Sequence, residues 1–209
     1  MASVLIVDDH PTIRMAVSLL LQHDLHTVCG EVDNGIDALK EWKKTSPDVV
    51  ILDIGIPKLD GLEVIKRIKS SGSPTQIVVL SAQNSHHIML RCLQAGASGF
   101  VSKMDELMLI KNAINACLNG QKYFPSDVIS KARYTTNTNN SDILNLLSNR
   151  EMSVLLALCN GVPNKDIASN MLLSEKTVST YKTRLMHKLN VGNIVELVEF
   201  AKRNGVISV

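Results

Sequence analysis

The sequence predicts an α/β domain built on a five-stranded parallel sheet with helices on both faces, followed by a small all-α domain. Residues 1–125 alternate short apolar runs with amphipathic helical patterns, which is typical of a doubly wound parallel sheet. Residues 146–209 are helical by apolar spacing and by capping residues. Between them, residues 126–145 are rich in Thr, Asn and Ser, which predicts a linker.

Five strands and five helices alternate in the first domain. The runs VLIV, VVIL and IVVL are continuously apolar, as expected for strands buried on both faces, and two further strands are weaker. The predicted strands are 4–7, 27–30, 49–52, 77–80 and 99–101. The predicted helices are 11–23, 35–45, 61–71, 85–95 and 105–119. Pro11 supports the first helix, because proline is favoured in the first helical turn.

The second domain has the layout of a helix-turn-helix. Ser148, Ser174 and Asn193 each stand where an N-cap is expected, and Ser148 and Asn193 have a Glu three residues later. Gly161 and the following Pro163 separate a first helix from a short second one near 165–171, and a tight turn then leads into a third helix. In that third helix, helical spacing predicts that these residues face the core: Val178, Tyr181, Leu185 and Leu189.

Composition and charge narrow the class of protein. Apolar runs are too short to span a membrane and the N-terminus lacks a basic segment before its apolar run, so a cytoplasmic protein without membrane association is predicted. The four cysteines show no metal-ligand spacing, which argues against a zinc site and against a disulfide framework.

The net charge of +2 lies entirely in residues 141–209. Within that part, residues 176–188 include four Lys or Arg and no acid. Such a basic face is a candidate contact for a polyanion.

Chemically capable side chains follow the strong strands of the first domain. Asp8 and Asp9 follow the first strand, Asp53 the third, Ser81 the fourth and Lys103 the fifth. Because ligands of open parallel sheets bind beyond the carboxyl ends of the strands, these side chains are expected to meet. Clustered carboxylates repel one another unless a hard cation such as Mg²⁺ lies among them. The sequence therefore predicts a Mg²⁺ site with Asp53 as a nucleophile toward phosphorus.

The segments VLIVDDHP, VVILDIGIPKLDGLEVI, VVLSAQ and GASGFVSK resemble the receiver domain of two-component response regulators, in matching order across residues 4–103. The resemblance implies the flavodoxin-like strand order. It also implies site roles: Asp53 as the phosphoacceptor, Asp8, Asp9 and Asp53 with the Gly55 carbonyl as ligands of Mg²⁺, Ser81 and Phe100 as the switch pair, and Lys103 as the contact of the phosphoryl group.

The motifs L-S-x-R-E, N-K-x-I-A and S-x-x-T-V-x-x-Y-K, which begin at residues 147, 164 and 174, resemble the LuxR-type output domain. The resemblance implies a recognition helix that reads bases through Ser179, Thr180 and Thr183. It implies phosphate contacts from Lys176, Thr177, Lys182 and Arg184. Ser179 replaces a common Lys and Tyr181 a common His, so modest affinity per monomer and cooperative dimers are expected.

Together the two resemblances imply a DNA-binding response regulator of the NarL/FixJ-like family, and not an enzyme. The implied partners are a sensor histidine kinase, in a hybrid form with a phosphotransfer domain, together with double-stranded DNA, RNA polymerase and a second copy of the chain. Finer motif details are similar to regulators of virulence or stress genes. Two alternatives stay open: a helix-turn-helix factor independent of phosphorylation, and a phosphatase of the haloacid dehalogenase type. Against the phosphatase, Gly55 stands where a second Asp would act as general acid.

Overall fold

The computed structural model describes residues 1–22, 26–134, 147–171, 173–204 and 206–207. The chain forms two compact units, Met1–Thr136 and Asn137–Val209. In the described ranges, no helix has both the length and the apolar character needed to cross a membrane.

The first unit contains a five-stranded parallel sheet in the order β2-β1-β3-β4-β5. The strands are β1 (Ser3–Val7), β2 (Thr27–Val32), β3 (Val49–Leu52), β4 (Gln76–Ser81) and β5 (Gly99–Ser102). The strand order reverses at β1, because β2 lies on one side of it and β3 on the other. This topology confirms the predicted flavodoxin-like fold, and it brings the carboxyl ends of β1, β3 and β4 side by side.

The described residues of the first unit also form helices, most of which pack on the sheet. They are α1 (Pro11–Gln22), α2 (Gly35–Thr45), α3 (Gly61–Ser70), α4 (His86–Ala95), α5 (Leu109–Leu118) and α6 (Ser126–Tyr134). Helices α1 and α5 share one buried apolar cluster with the strands, which includes Val17, Leu21, Ile110 and Ile114. The predicted extension of α1 to residue 23 lies outside the described residues. Helix α5 begins four residues later than predicted, because the chain first makes turns in which Asp105 and Leu109 donate to carbonyls three residues earlier.

The start of the predicted linker is a helix instead. Tyr123 bridges to the edge of β5, accepting from the Phe100 N–H at 2.8 Å and donating to the Ser98 carbonyl at 3.0 Å. Helix α6 follows, packs against α4 and buries Val128. Because α6 joins the first unit, that unit extends beyond residue 125, the boundary expected from composition. The rest of the predicted linker, 135–145, lies outside the described residues.

The described residues of the second unit form the helices α7 (Asn149–Cys159), α8 (Asn164–Asn170), α9 (Glu175–Leu189) and α10 (Ile194–Arg203). Ser148, Ser174 and Asn193 cap α7, α9 and α10, as predicted from the sequence. Leu172, which was expected in the turn before α9, lies outside the described residues. Helix α9 packs against both α7 and α8, the arrangement of a helix-turn-helix.

Candidate functional site

Three carboxylates meet at the carboxyl edge of the sheet. Asp8 and Asp9 follow β1, and Asp53 follows the neighbouring strand β3. One side-chain donor atom from each of these acids and from His10 lies within 4.8 Å of the others. Asp8 and Asp53 are buried, with 2% and 5% of their surface exposed, whereas Asp9 is half-buried. The pairing of β1 with β3 therefore concentrates negative charge in a site that is largely shielded from solvent.

Lys103 provides the positive charge of this cluster. Its Nζ lies 2.6 Å from Asp53 Oδ2 and 2.7 Å from Asp8 Oδ2. The side chain reaches the acids because β5 ends beside β4, where the Lys103 N–H donates to the Ser81 carbonyl at 2.8 Å. Burial opposes a charged ammonium, but the carboxylates of Asp53 and Asp8 outweigh it and raise the pKa of Lys103.

The cluster retains more negative than positive charge. Burial raises the pKa of Asp8, and the neighbouring Asp53 carboxylate adds to that rise, while Lys103 opposes it. One ammonium cannot neutralise three carboxylates, and a divalent cation with oxygen ligands would balance the remainder. The donor set thus fits the Mg²⁺ ion expected from the sequence. The Gly55 N–H donates to Asp53 Oδ1 at 2.9 Å, and the role of its carbonyl as a ligand stays a prediction.

A close approach of α3 fixes the chain beyond Asp53. A Cβ at Gly61 would lie 2.8 Å from the Asp53 carbonyl oxygen and 2.5 Å from the Ile54 Cα. Only glycine permits this contact without moving the backbone, so the first residue of α3 supports the loop that carries the candidate nucleophile.

The predicted switch residues lie on β4, which is next to β3, and on β5 at the edge of the sheet. Ser81 ends β4, is buried, and its Oγ accepts from the Gln83 N–H at 3.1 Å. Phe100 is buried on β5, with its ring centroid 6.3 Å from that of Phe124. A cavity of about 340 Å³ lies beside the two rings, lined also by Met89 of α4 and Leu109 of α5. Phe100 therefore lines a cavity between α4, β5 and α5.

His10 is a site residue that the sequence analysis missed. Asp8 and Asp9 were assigned to the Mg²⁺ site and Pro11 to the start of a helix, but the imidazole between them was given no role. In the structure, His10 Nδ1 lies 2.8 Å from Asp9 Oδ1 and 3.1 Å from Asp8 Oδ1. The signal was present in the sequence, because an imidazole directly follows two acids at the end of a strand.

The candidate DNA-binding residues lie on helix α9. Val178, Leu185 and Leu189 are buried as predicted, whereas Tyr181 is only half-buried. The hydroxyls of Thr180 and Thr183 donate to carbonyls one turn earlier in their own helix. Of the predicted DNA contacts, five are exposed, namely Lys176, Ser179, Thr180, Thr183 and Arg184, and two are half-buried, namely Thr177 and Lys182.

Lys188 differs from the other basic residues of α9. Its Nζ lies 2.7 Å from Oε2 of Glu151, whose surface is only 3% exposed. Glu151 also completes the N-cap of α7, because Oε2 accepts from the N–H and the hydroxyl of Ser148 at 2.8 Å and 3.0 Å. This pair joins α7 to the C-terminal end of α9.

Comparison with protein families identifies both units. Residues 4–115 match the family described as the response regulator receiver domain, and residues 145–201 match the bacterial regulatory proteins of the luxR family. The chain is a response regulator. This confirms both resemblances seen in the sequence, and the response regulators of this kind are DNA-binding transcriptional regulators and not enzymes. The phosphatase alternative is thereby excluded.

Relatives of this response regulator match it over nearly their whole length. The virulence factor transcription regulator BvgA of Bordetella pertussis is 50% identical over 204 residues, covering 97% of this chain and 98% of BvgA. The DNA-binding transcriptional activator EvgA of Escherichia coli K12 is 37% identical over 206 residues, covering 98% of this chain and 99% of EvgA.

A solved response regulator structure also matches nearly the whole of this chain. RcsB from Salmonella enterica serovar Typhimurium, bound to the promoter P1flhDC in the presence of the phosphomimetic BeF3-, matches with a TM-score of 0.60 and 26% identity, covering 97% of this chain and 98% of RcsB. A response regulator with a DNA-binding domain implies a cognate kinase and DNA as partners of this chain.

Proposed function

We propose that Asp53 accepts a phosphoryl group from a sensor histidine kinase and that phosphorylation favours dimers that bind promoter DNA. The observation that carries the proposal is the contact of Lys103 Nζ with both Asp53 and Asp8 in a buried acidic cluster. The proposal includes a hybrid kinase with a phosphotransfer domain as donor, and virulence or stress genes as targets. The similarity to BvgA, a transcription regulator of virulence factors, supports the virulence genes. The protein would act in the cytoplasm, with RNA polymerase as a further partner.

The geometry prepares Asp53 for attack on phosphorus. The Gly55 N–H holds Oδ1, and Lys103 holds Oδ2. A carboxylate oxygen of Asp53 forms the new bond to phosphorus, while the bond from phosphorus to the donor's imidazole nitrogen breaks and that nitrogen recovers a proton from water. Lys103 then pairs with a phosphoryl oxygen. Asp8, Asp9, Asp53 and the Gly55 carbonyl would hold Mg²⁺, which when bound would neutralise part of the phosphoryl charge.

Phosphorylation would change the conformation of the first unit through movements of Ser81 and then Phe100. A phosphoryl group adds a charge of about −1.5 to −2 near the ends of β3 and β4, and it attracts the Ser81 hydroxyl. Movement of that hydroxyl leaves room for the Phe100 ring to turn inward. Because the Phe100 ring lies against Phe124, two residues before α6, inward movement would also change the packing of α6 against α4.

Phosphorylation of Asp53 is tested with acetyl phosphate. Wild-type protein incubated with acetyl phosphate and Mg²⁺ is expected to give a shifted band in phosphate-affinity electrophoresis, and Asp53→Asn is expected to give none. Asp105→Asn is the matched control, because Asp105 is an exposed acid at the same edge of the sheet. A shift that persists in Asp53→Asn would contradict the assignment of the acceptor. No shift in folded wild type would favour the alternative of a factor independent of phosphorylation.

Lys182 and Thr183 are expected to affect DNA binding differently. Lys182→Met should weaken binding to every duplex and reduce the slope of log affinity against log salt by roughly 0.9, because one phosphate contact is lost. Thr183→Ala should leave that slope unchanged and alter the preference among sequences. Fluorescence anisotropy with a duplex selected from a random library, and with a scrambled duplex, measures both quantities. Equal effects of the two variants on all duplexes and on the slope would refute this division.

A further inference from the structure

The imidazole of His10 faces the acids of the cluster. Its Nδ1 lies 2.8 Å from Asp9 Oδ1 and 3.1 Å from Asp8 Oδ1. The backbone holds the residue in place, because the His10 N–H donates to Asp8 Oδ1 at 2.9 Å and its carbonyl accepts from the Ile13 N–H at 3.1 Å. The ring lies beside the oxygen atoms that a bound cation would contact, with 46% of the side chain exposed.

The separations within the cluster suit adjacent ligands of one ion. First-row divalent metals bind oxygen and nitrogen at about 2.0–2.2 Å, so two ligands at right angles lie about 3.0 Å apart. The distances from Nδ1 to the two carboxylate oxygens agree with this value. In the absence of a metal, Nδ1 lies within hydrogen-bond distance of Asp8 Oδ1, whereas Asp9 Oδ1 is buried without a hydrogen-bond partner among the described residues. A cation between these atoms would contact Asp9 Oδ1 without a large movement of the ring.

We propose that His10 is a metal ligand of the phosphoacceptor site and that it makes this site favour transition metals such as Mn²⁺ and Co²⁺ relative to Mg²⁺. The inference rests on the proposed function, because it concerns the cation that supports phosphorylation of Asp53. Mg²⁺ prefers oxygen ligands, whereas an imidazole nitrogen favours the later first-row metals. A site with carboxylates alone lacks this nitrogen, so His10 sets which cation the regulator takes from a mixture.

Metal titrations of the full chain test the proposal. Isothermal titration calorimetry with Mg²⁺, Mn²⁺ and Co²⁺ compares wild type with His10→Asn, which keeps the backbone hydrogen bonds and an oxygen ligand but removes the ring. The ratio of Co²⁺ to Mg²⁺ affinity is expected to fall at least roughly tenfold. His86→Asn is the matched control and should keep the wild-type ratio, because His86 lies on α4 and pairs with Asp127 of α6. Pulsed electron spin resonance of bound Mn²⁺ should show nitrogen coupling in wild type and none in His10→Asn.

The outcomes separate the role of His10 from the proposed function. An equal metal ratio in wild type and His10→Asn, or nitrogen coupling that persists without His10, would overturn the proposal. Phosphorylation of Asp53, measured with Mg²⁺ alone, would still stand in that case. If folded wild type bound none of the three metals, both the metal site and its selectivity would be wrong. The unfolding midpoint followed by fluorescence of Trp42, the single tryptophan, shows that each variant is folded.

Discussion

Lys103→Met is expected to lower the free energy of unfolding of the first unit by about 2–4 kcal/mol at pH 8, because it leaves buried carboxylates without their cation. Lys103 Nζ contacts both Asp8 and Asp53, and neither acid can turn fully into solvent from its buried position. Methionine keeps most of the volume of the lysine side chain, so the loss measures charge rather than packing. Urea unfolding followed by Trp42 fluorescence reports this unit, since Trp42 lies on α2.

The effect of Lys103→Met should be smaller at pH 5 than at pH 8. The pKa of Asp8 is already raised in the folded state by burial and by Asp53, so the folded state binds that proton more tightly than the unfolded chain. The resulting stabilisation is present below the ordinary pKa of 3.8 and is lost as pH rises through the raised value. Removal of Lys103 raises the pKa further. Asp8 can then stay neutral to a higher pH, and the cost of the missing cation grows only as it ionises.

Two controls show whether Lys103→Met destabilises the protein through loss of charge or through loss of packing. Lys66→Met removes an exposed charge from α3 and should change the free energy of unfolding by no more than about 0.5 kcal/mol. Mg²⁺ should recover part of the stability of Lys103→Met at pH 8, because a cation bound to the acids replaces the lost ammonium. Equal losses at both pH values, unaffected by Mg²⁺, would mean that packing rather than charge accounts for the effect.

The acidic cluster could be predicted because it depends on topology alone. Continuous apolar runs identify the parallel strands, and in a parallel sheet the residues after each strand share one edge. Asp8, Asp53 and Lys103 therefore lie together as expected, and this prediction required no knowledge of side-chain conformation. His10 was missed because its role depends on the direction of the ring, which the sequence does not specify.

The boundary of the first domain could not be predicted from composition. Residues 126–134 follow a Pro and precede a polar stretch, and little in this short segment marks it as part of a folded unit. Its helix is stabilised by contacts made elsewhere in the chain, namely the bridge from Tyr123 to β5 and the burial of Val128 against the unit. Tertiary packing, rather than local propensity, decides the structure of such a segment.

The pair of Glu151 and Lys188 is also a product of tertiary structure. In the sequence, Lys188 belongs to a basic run without acids, and it looks equivalent to Lys182. The acid that binds it lies 37 residues earlier, on another helix. The packing of α9 on α7 shows that Lys188, unlike a solvated lysine, is bound to an acid within the protein.

Glu151→Ala is expected to lower the free energy of unfolding of the second unit by about 2–4 kcal/mol, because it removes both the N-cap of α7 and the partner of Lys188. Burial alone would raise the pKa of Glu151, but the hydrogen bonds from Lys188 and Ser148 outweigh it and lower the pKa. The contribution of Glu151 is therefore fully present above its ordinary pKa of 4.5 and is lost progressively as pH falls from that value through the lowered pKa of the folded state. Unfolding curves followed by circular dichroism at pH 7 and pH 4 measure this. The difference in the free energy of unfolding between variant and wild type should be smaller at pH 4.

Lys188→Met then distinguishes a residue that positions α9 from one that contacts DNA. If Lys188 stays bound to Glu151 when the protein binds DNA, the variant should lose affinity for every duplex while the slope of log affinity against log salt stays unchanged. Lys182→Met, the matched lysine of the same helix, should reduce that slope by roughly 0.9. Lys188→Arg should recover affinity, because a guanidinium can still bind the buried carboxylate. A reduced slope in Lys188→Met would mean that Lys188 leaves Glu151 for a phosphate, and the affinity would then depend on the free energy of breaking this pair.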